Sequence, residues 1–147
     1  MKKIVIIGAN DFQNQLILKA KEMGFETHVF AWQDGSIGER TADYFYPVSI
    51  VEIDEILEKC KEIKPDAVAT IASDLANITV SKVAAGLGLP GNTPECIEIS
   101  TNKYAMRSAF LKAGIPTPAF YKVDQVQDEL YKMKLPVIVK PTDRSGS

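Results

Sequence analysis

Histidine, cysteine and long apolar runs are all scarce in this sequence. One histidine, His28, and two cysteines, Cys60 and Cys96, occur among 147 residues. The cysteines lie far apart with no metal-ligand spacing, which argues against a structural zinc site and fits reduced cytosolic thiols. Near the amino terminus, MKKIVIIGAN sets two lysines before an apolar run, but the run covers only Ile4 to Ile7 before Gly8 breaks it. That is too short for a signal-peptide core or a membrane span. A net charge of -2 gives no electrostatic reason to expect a nucleic-acid or anionic-membrane partner. Internal repeats and low-complexity tracts are also missing. The expectation is a cytoplasmic globular protein, and 46% hydrophobic with 24% charged residues is enough to build its core.

What is present is an alternation of short apolar runs with helical periodicity. KIVIIG is β-rich and ends in glycine; Phe12, Leu16, Ile17, Ala20 and Met23 then recur at helical spacing up to Gly24. THVFAW and DYFYPV suggest two further strands. Val51, Ile53, Ile56, Leu57, Cys60 and Ile63 form an amphipathic stripe closed by Pro65. DAVATIA is a continuous apolar run, as expected of a strand covered on both faces, and Leu75, Ile78, Val83, Ala84 and Leu87 carry another helix that ends at Gly86 and Gly88. This rhythm predicts an α/β fold over residues 1–93, a Rossmann-like parallel sheet with helices on both faces. The rhythm changes after GLPGNTPE. Residues 94–116 read as linker helices, one capped by Ser100 or Thr101 with Met106, Ala109, Phe110 and Ala113 on one face. Over 117–147, TPAFYKV, a short helix around Asp124 to Met133 and PVIVK form an incomplete β-α-β segment, the start of a second domain.

Four places could carry chemistry. GANDFQ follows the first strand, where a turn opens a helix whose amino terminus favours anions. A dinucleotide fingerprint needs three glycines, and only Gly8 is present; Asn10, Asp11, Phe12 and Gln13 occupy the rest. Asp11 would repel a pyrophosphate, and strand two ends in Ala31 and Trp32 rather than an acid. NAD binding is therefore disfavoured, and Gly8 can equally serve the fold alone. In TIASDLAN, the residues Ser73, Asp74 and Asn77 sit at the mouth of a strand, either contacting a ligand or capping the next helix. Lys103 falls in the first turn of its helix, where the dipole disfavours a cation, so it is either solvated or aimed at an anion. Lys140 ends an apolar run in front of the loop Asp143 to Ser147. Desolvating a lysine is costly unless it is paired, and backbone N–H groups of a Ser/Gly loop make a matching phosphate cradle. A solvated strand-end lysine remains the other reading. His28 reads as a packed or edge side chain rather than a general base, and Trp32, Tyr44, Phe45 and Tyr46 as core or sheet-edge aromatics.

Taken together, NKYAMRSAFLKAGIPTPAF and, about twenty residues on, LPVIVKPTDRSGS resemble the N-terminal part of ATP-grasp enzymes. That superfamily includes biotin carboxylase, the carbamoyl phosphate synthetase large subunit and the carboxylate–amine ligases. The resemblance spans the whole chain: residues 1–93 are similar to the preATP-grasp domain, and 117–147 to the beginning of the ATP-grasp domain. It implies that Lys103 and Lys140 contact ATP phosphates and that Ser145, Gly146 and Ser147 belong to the loop closing over them. It further implies that Gly8, Asn10, Asp11, Phe12 and Gln13 help hold a carboxylate or amine substrate, with Ser73 and Asp74 nearby. The implied reaction is a carboxylate–amine or carboxylate–thiol ligation through an acylphosphate, using ATP and Mg²⁺. The magnesium and adenine ligands are expected beyond residue 147, with no metal ligand within this stretch and no activity from it alone. The implied partners are small-molecule carboxylates and amines, not nucleic acid or membrane, and a homodimer is common in the family. An NAD(P)-dependent oxidoreductase and a non-catalytic Rossmann-like binding or oligomerisation module are the competing readings.

Overall fold

Strand β1 (Lys3–Ile7) lies in the middle of the first unit, and its composition explains why. Val5, Ile6 and Ile7 are wholly buried and Ile4 nearly so, and successive side chains leave the strand on opposite faces. Such a strand needs cover on both sides. The computed structural model describes residues 1–124 and 133–143, and the chain divides into two compact units, Met1–Ile97 and Glu98–Ser147.

In the first unit β1 is followed by α1 (Asp11–Glu22), β2 (Glu26–Phe30), α2 (Ile37–Thr41), β3 (Tyr44–Tyr46), α3 (Ile53–Ile63), β4 (Ala67–Ala69) and α4 (Asp74–Gly86). The sheet is wholly parallel with strand order β3-β2-β1-β4. Ile6 lies opposite Val29 on one side and Ala69 on the other. Val5, Ile7 and Phe30 pack with Ile56, Cys60 and Ile63 of α3 and with Ala76 and Val83 of α4. Ile4, Ile6, Val29 and Ala31 pack on the other face with Ile17 and Ala20 of α1. Burying each such aliphatic side chain stabilises the fold by about 1.5–3 kcal/mol. The α/β fold class, a Rossmann-like parallel sheet covered on both faces, is as the sequence predicts.

Several details differ. The α1 stripe is rotated from the one its apolar residues suggest: Phe12 and Met23 are each 64% exposed, while Gln13 and Asn14 are buried. DAVATIA is half-buried rather than doubly covered, because β4 pairs with β1 alone among the described residues. Trp32 lies beyond the end of β2 and is 69% exposed, not a core aromatic. His28 is packed as expected, 4% exposed, with Nδ1 3.0 Å from the Tyr46 hydroxyl, Nε2 2.8 Å from Glu26 and its ring stacked on Tyr44. Helix α2 had no periodic signal, being only five residues long.

Helix α5 (Pro94–Thr101) spans the division between the units, and α6 (Lys103–Lys112) follows within the second. Its cap is Asn102 rather than Ser100 or Thr101, which belong to the end of α5. Asn102 Oδ1 accepts from the N–H groups of Tyr104 and Ala105, both at 3.0 Å. The segment after α6 folds back on it through Arg107 to Thr117 Oγ1 (3.0 Å) and an edge-on Tyr104–Phe120 contact. The expected strands TPAFYKV and PVIVK form no ladder among the described residues, and Leu135, Ile138 and Val139 are exposed. A strand is defined by a hydrogen-bonded neighbour, and none is described beside them. The helix expected around Asp124 to Met133 falls mostly outside the described residues. No helix among those described is long and apolar enough to cross a membrane.

One polar knot ties β2 to the turn before β3. The Thr27 hydroxyl donates to Asp43 Oδ2 (2.8 Å) and accepts the Asp43 N–H (3.0 Å), while Thr27 N–H donates to the same carboxylate (2.9 Å) and Lys21 Nζ lies 2.7 Å from its other oxygen. Burial raises the Asp43 pKa, but Lys21 and Thr27 outweigh it and bring the group from 3.8 down to about 2. A depressed carboxylate contributes stability above its ordinary value and loses it as pH falls from about 4 to about 2. The gap in urea midpoint between wild type and Asp43→Asn is therefore expected to be widest near neutrality and to close over that window. A gap that does not vary with pH would show that this pairing is not the cause.

Candidate functional site

In a parallel sheet all strands end on the same edge, so four loops open here: Gly8–Asn10 after β1, Ala31–Ser36 after β2, residues 47–52 after β3 and Thr70–Ser73 after β4. The chain leaves β1 towards β2 on one side and places β4 on the other, so β1/β4 is the switch point at which open α/β sheets bind ligands. A cleft of about 160 Å³ opens there, bordered by Gly8, Asn10, Gln13, Trp32, Asp34 and Ser73 among others.

Gln13 governs the floor of this cleft. Its side chain is 2% exposed, and its Nε2 donates to the Ile71 carbonyl beyond β4. Gly8 makes room for it. With φ +100°, Gly8 donates its N–H to the Phe30 carbonyl at 2.8 Å, and a Cβ built there would stand 3.0 Å from Gln13 Cγ and Cδ. The space that a dinucleotide fingerprint leaves open for pyrophosphate is thus filled by a side chain. Thr70 Oγ1 adds a second tie across the switch point, 2.7 Å to the Ile7 carbonyl. Ala72, just after Thr70 and Ile71 in the chain, adopts φ +55°, a conformation costing an alanine on the order of 1 kcal/mol.

Of the four helices that start at this edge, α1 and α4 carry side-chain caps and α2 and α3 do not. Asn10 Oδ1 accepts from Phe12 N–H (2.9 Å) and Gln13 N–H (3.4 Å), and Ser73 Oγ accepts from Ala76 N–H (3.2 Å). The capping role that the sequence left open for Ser73 is the one observed. Asp11 and Asp74 occupy the first positions of α1 and α4 and, with the exposed Phe12, do not border the cleft. Trp32, Asp34 and Ser36 do border it, and sequence reasoning missed them as site residues. The Asp34 carboxyl is held below its ordinary value by hydrogen bonds from the Ser36 hydroxyl and N–H, the latter at 3.0 Å. Asp34 also follows an Asx pattern, D-G-S, which was the available signal.

A larger hollow of about 370 Å³ lies at the opposite, amino edge of β4, bordered by Cys60, Lys64, Pro65 and Gly86. Burial pushes the Cys60 thiol up to about 12, so it offers no nucleophile, and no strand-end loops converge there.

In the second unit the Lys103 N–H donates to the Thr142 carbonyl at 2.7 Å. That bond sets the first turn of α6 beside the residues just after Lys140, 37 positions later in the sequence. Lys140 is exposed. Ser145, Gly146 and Ser147 lie outside the described residues.

No family model matches the chain. It is 36% identical over 81 residues to protein y4rH of Sinorhizobium fredii, covering 53% of this chain and 17% of that protein. It is 23% identical over 145 residues to the formate-dependent phosphoribosylglycinamide formyltransferase of Prochlorococcus marinus, covering 95% of this chain and 37% of that one. The chain thus spans well under half the length of these curated relatives. Among solved structures, phosphoribosylglycinamide synthetase from Anaerococcus prevotii superposes with a TM-score of 0.72 at 27% identity, over 92% of this chain and 35% of its own. The L-amino acid ligase of Bacillus licheniformis gives 0.85 at 24% identity, over 98% and 38%. The biotin carboxylase domain of Hydrogenobacter thermophilus 2-oxoglutarate carboxylase, solved with MgADP, ADP and bicarbonate, gives 0.65 at 20%, over 79% and 28%. The fold is that of the N-terminal α/β domain of ATP-grasp ligases. The synthetase and ligases that the chain resembles along most of its length are members of that superfamily, and the oxidoreductase reading is not favoured.

Two outcomes follow from the local chemistry. Gly8→Ala should cost about 2 kcal/mol, from its φ and from displacing Gln13, and less in a Gln13→Ala background, where the steric part is gone; urea midpoints of the four proteins give the coupling. In the folded protein a disulfide reagent should titrate the exposed Cys96 and reach the buried Cys60 only on unfolding. Rapid reaction of both thiols in the native state would contradict the burial of Cys60.

Proposed function

We propose that this chain serves an ATP-dependent carboxylate–amine or carboxylate–thiol ligase, supplying the substrate-facing domain and two of the phosphate-binding lysines. The observation that carries this reading is the Lys103 N–H to Thr142 bond. It sets side by side two lysine-bearing segments that are far apart in sequence, one of them at a helix start, where the dipole disfavours a cation. In the reaction envisaged, a substrate carboxylate oxygen attacks the γ-phosphorus of ATP and the bond to the ADP oxygen breaks, leaving an acylphosphate. The amine nitrogen or thiolate sulfur then attacks the acyl carbon, phosphate leaves with the bonding pair, and the amine or thiol proton passes to solvent. Phosphoryl transfer of this kind relies on positioning and on neutralising charge as it moves between oxygens. Lys103 and Lys140 are assigned to the phosphates, Ser145, Gly146 and Ser147 to the loop that covers them, and Gly8, Asn10, Gln13 and Ser73 to the edge where a carboxylate or amine is held. Asp11, Phe12 and Asp74, which do not border the cleft, are left out of that assignment.

Mg²⁺, when bound with ATP, would supply positive charge to offset that of the phosphates. Among the described residues no group of three or more His, Cys, Asp or Glu side chains could hold a metal ion. We assign its ligands to chain beyond residue 147. The cytoplasm, where ATP is abundant, is the compartment this chemistry fits, and a homodimer is the assembly we propose.

Calorimetric titration of Mg-ATP into the ligase carrying a complete ATP-grasp lobe tests the assignment. Lys103→Ala and Lys140→Ala should each weaken binding roughly ten- to a hundredfold, as expected for losing a charge-assisted contact. Lys112→Ala, on the last turn of α6, should change nothing. Equal affinity in all four proteins would remove both lysines from the site.

A further inference from the structure

We propose that the cleft at the carboxyl edge of the first unit takes the amine end of a small substrate together with an adjoining apolar group, and turns phosphate-bearing substrates away. This deepens the ligase reading above and rests on it.

Parallel α/β sheets ordinarily present anion sites at this edge, because helix amino termini point at it with free N–H groups. Here part of that capacity is spent within the protein, on α1 and α4. Asn10 Oδ1 takes the N–H groups of Phe12 and Gln13 in the first turn of α1, and Ser73 Oγ takes that of Ala76 in the first turn of α4. Asp11 and Asp74 stand at the first positions of those same helices. An anion at either of these two termini would settle beside a carboxylate.

The walls point the same way. Among the described residues no lysine, arginine or histidine borders the cleft, and the one ionisable residue in its wall is Asp34. Arg40 on α2 donates to the Gly35 carbonyl at 3.4 Å, but Glu39 beside it accepts the Asp34 and Gly35 N–H groups at 2.9 and 2.6 Å, so the loop carries no net positive charge. Trp32 supplies the complementary feature. It borders the cleft yet is 69% exposed, an aromatic surface with little of its own fold to cover. Such a face accepts an apolar side chain or an ammonium group. A cleft of about 160 Å³ is small beside the roughly 300–1,000 Å³ of drug-sized pockets and suits one end of a ligand.

Trp32 is the single tryptophan, so its fluorescence reports on this cleft alone. The protein is titrated with L-leucinamide, an apolar amine without a carboxylate, and separately with ribose 5-phosphate. Leucinamide should change the emission saturably. Asp34→Asn should weaken that response roughly three- to fivefold, the size expected for one exposed charge, with the unliganded spectrum and the urea midpoint showing that the variant is folded. Ribose 5-phosphate should give no saturable change with either protein. Saturation by ribose 5-phosphate as tight as by leucinamide would overturn the charge preference and leave the cleft standing as a substrate site. Equal leucinamide binding by Asp34→Asn would overturn the role of Asp34 and with it the amine preference. Failure of both probes would overturn the cleft as a substrate site, and the present inference with it.

Discussion

Parallel pairing of β1 on both of its edges is the constraint from which the rest of the first unit follows. A strand with Val5, Ile6 and Ile7 wholly buried must be covered on two faces and hydrogen-bonded on two sides. Parallel neighbours can be reached only by crossovers, so α1 must return the chain to β2 and α3 must carry it to β4. Those crossovers put α1 on one face and α3 and α4 on the other. They also bring every strand to the same edge pointing the same way. The cleft is thus a consequence of covering β1.

At that edge the protein uses its polar groups for architecture before function. Gln13 bridges to the Ile71 carbonyl, Thr70 to Ile7, and Asn10 and Ser73 cap their helices. Leaving such buried donors or acceptors unpaired would cost about 1–3 kcal/mol each, so their partners come first. What remains for a ligand is the exposed Trp32 ring, the Asp34 carboxylate, one oxygen of which Ser36 already holds, and the rim. The second unit shows the reverse. None of its described residues is buried, and it is ordered about α6 by backbone and side-chain ties such as Lys103 to Thr142 and Arg107 to Thr117.

The legibility of these features follows their physical range. The α3 stripe of Ile56, Cys60 and Ile63 was readable because its period is local and its burial uniform. The α1 stripe misled, since Phe12 satisfies the period yet is exposed, while Gln13 breaks it and is buried. Nothing within α1 announces this, because the carbonyl that makes Gln13 worth burying belongs to Ile71, 58 residues away. Trp32 was misjudged for a related reason: THVFAW reads as one strand, but β2 ends at Phe30.

The sequence by itself determined the α/β rhythm, the parallel Rossmann-like class, the lone Gly8 that speaks against a dinucleotide and the two-lysine pattern, since each is written in spacing along the chain. Tertiary structure decided which strand is central, that Asn102 rather than Ser100 or Thr101 caps α6, that Gln13 occupies the space above Gly8, and that Trp32 and Asp34 face the cleft. Periodicity tells which residues share a face. It does not tell what that face meets, and a polar side chain is buried or left to solvent according to a partner brought to it by the rest of the fold.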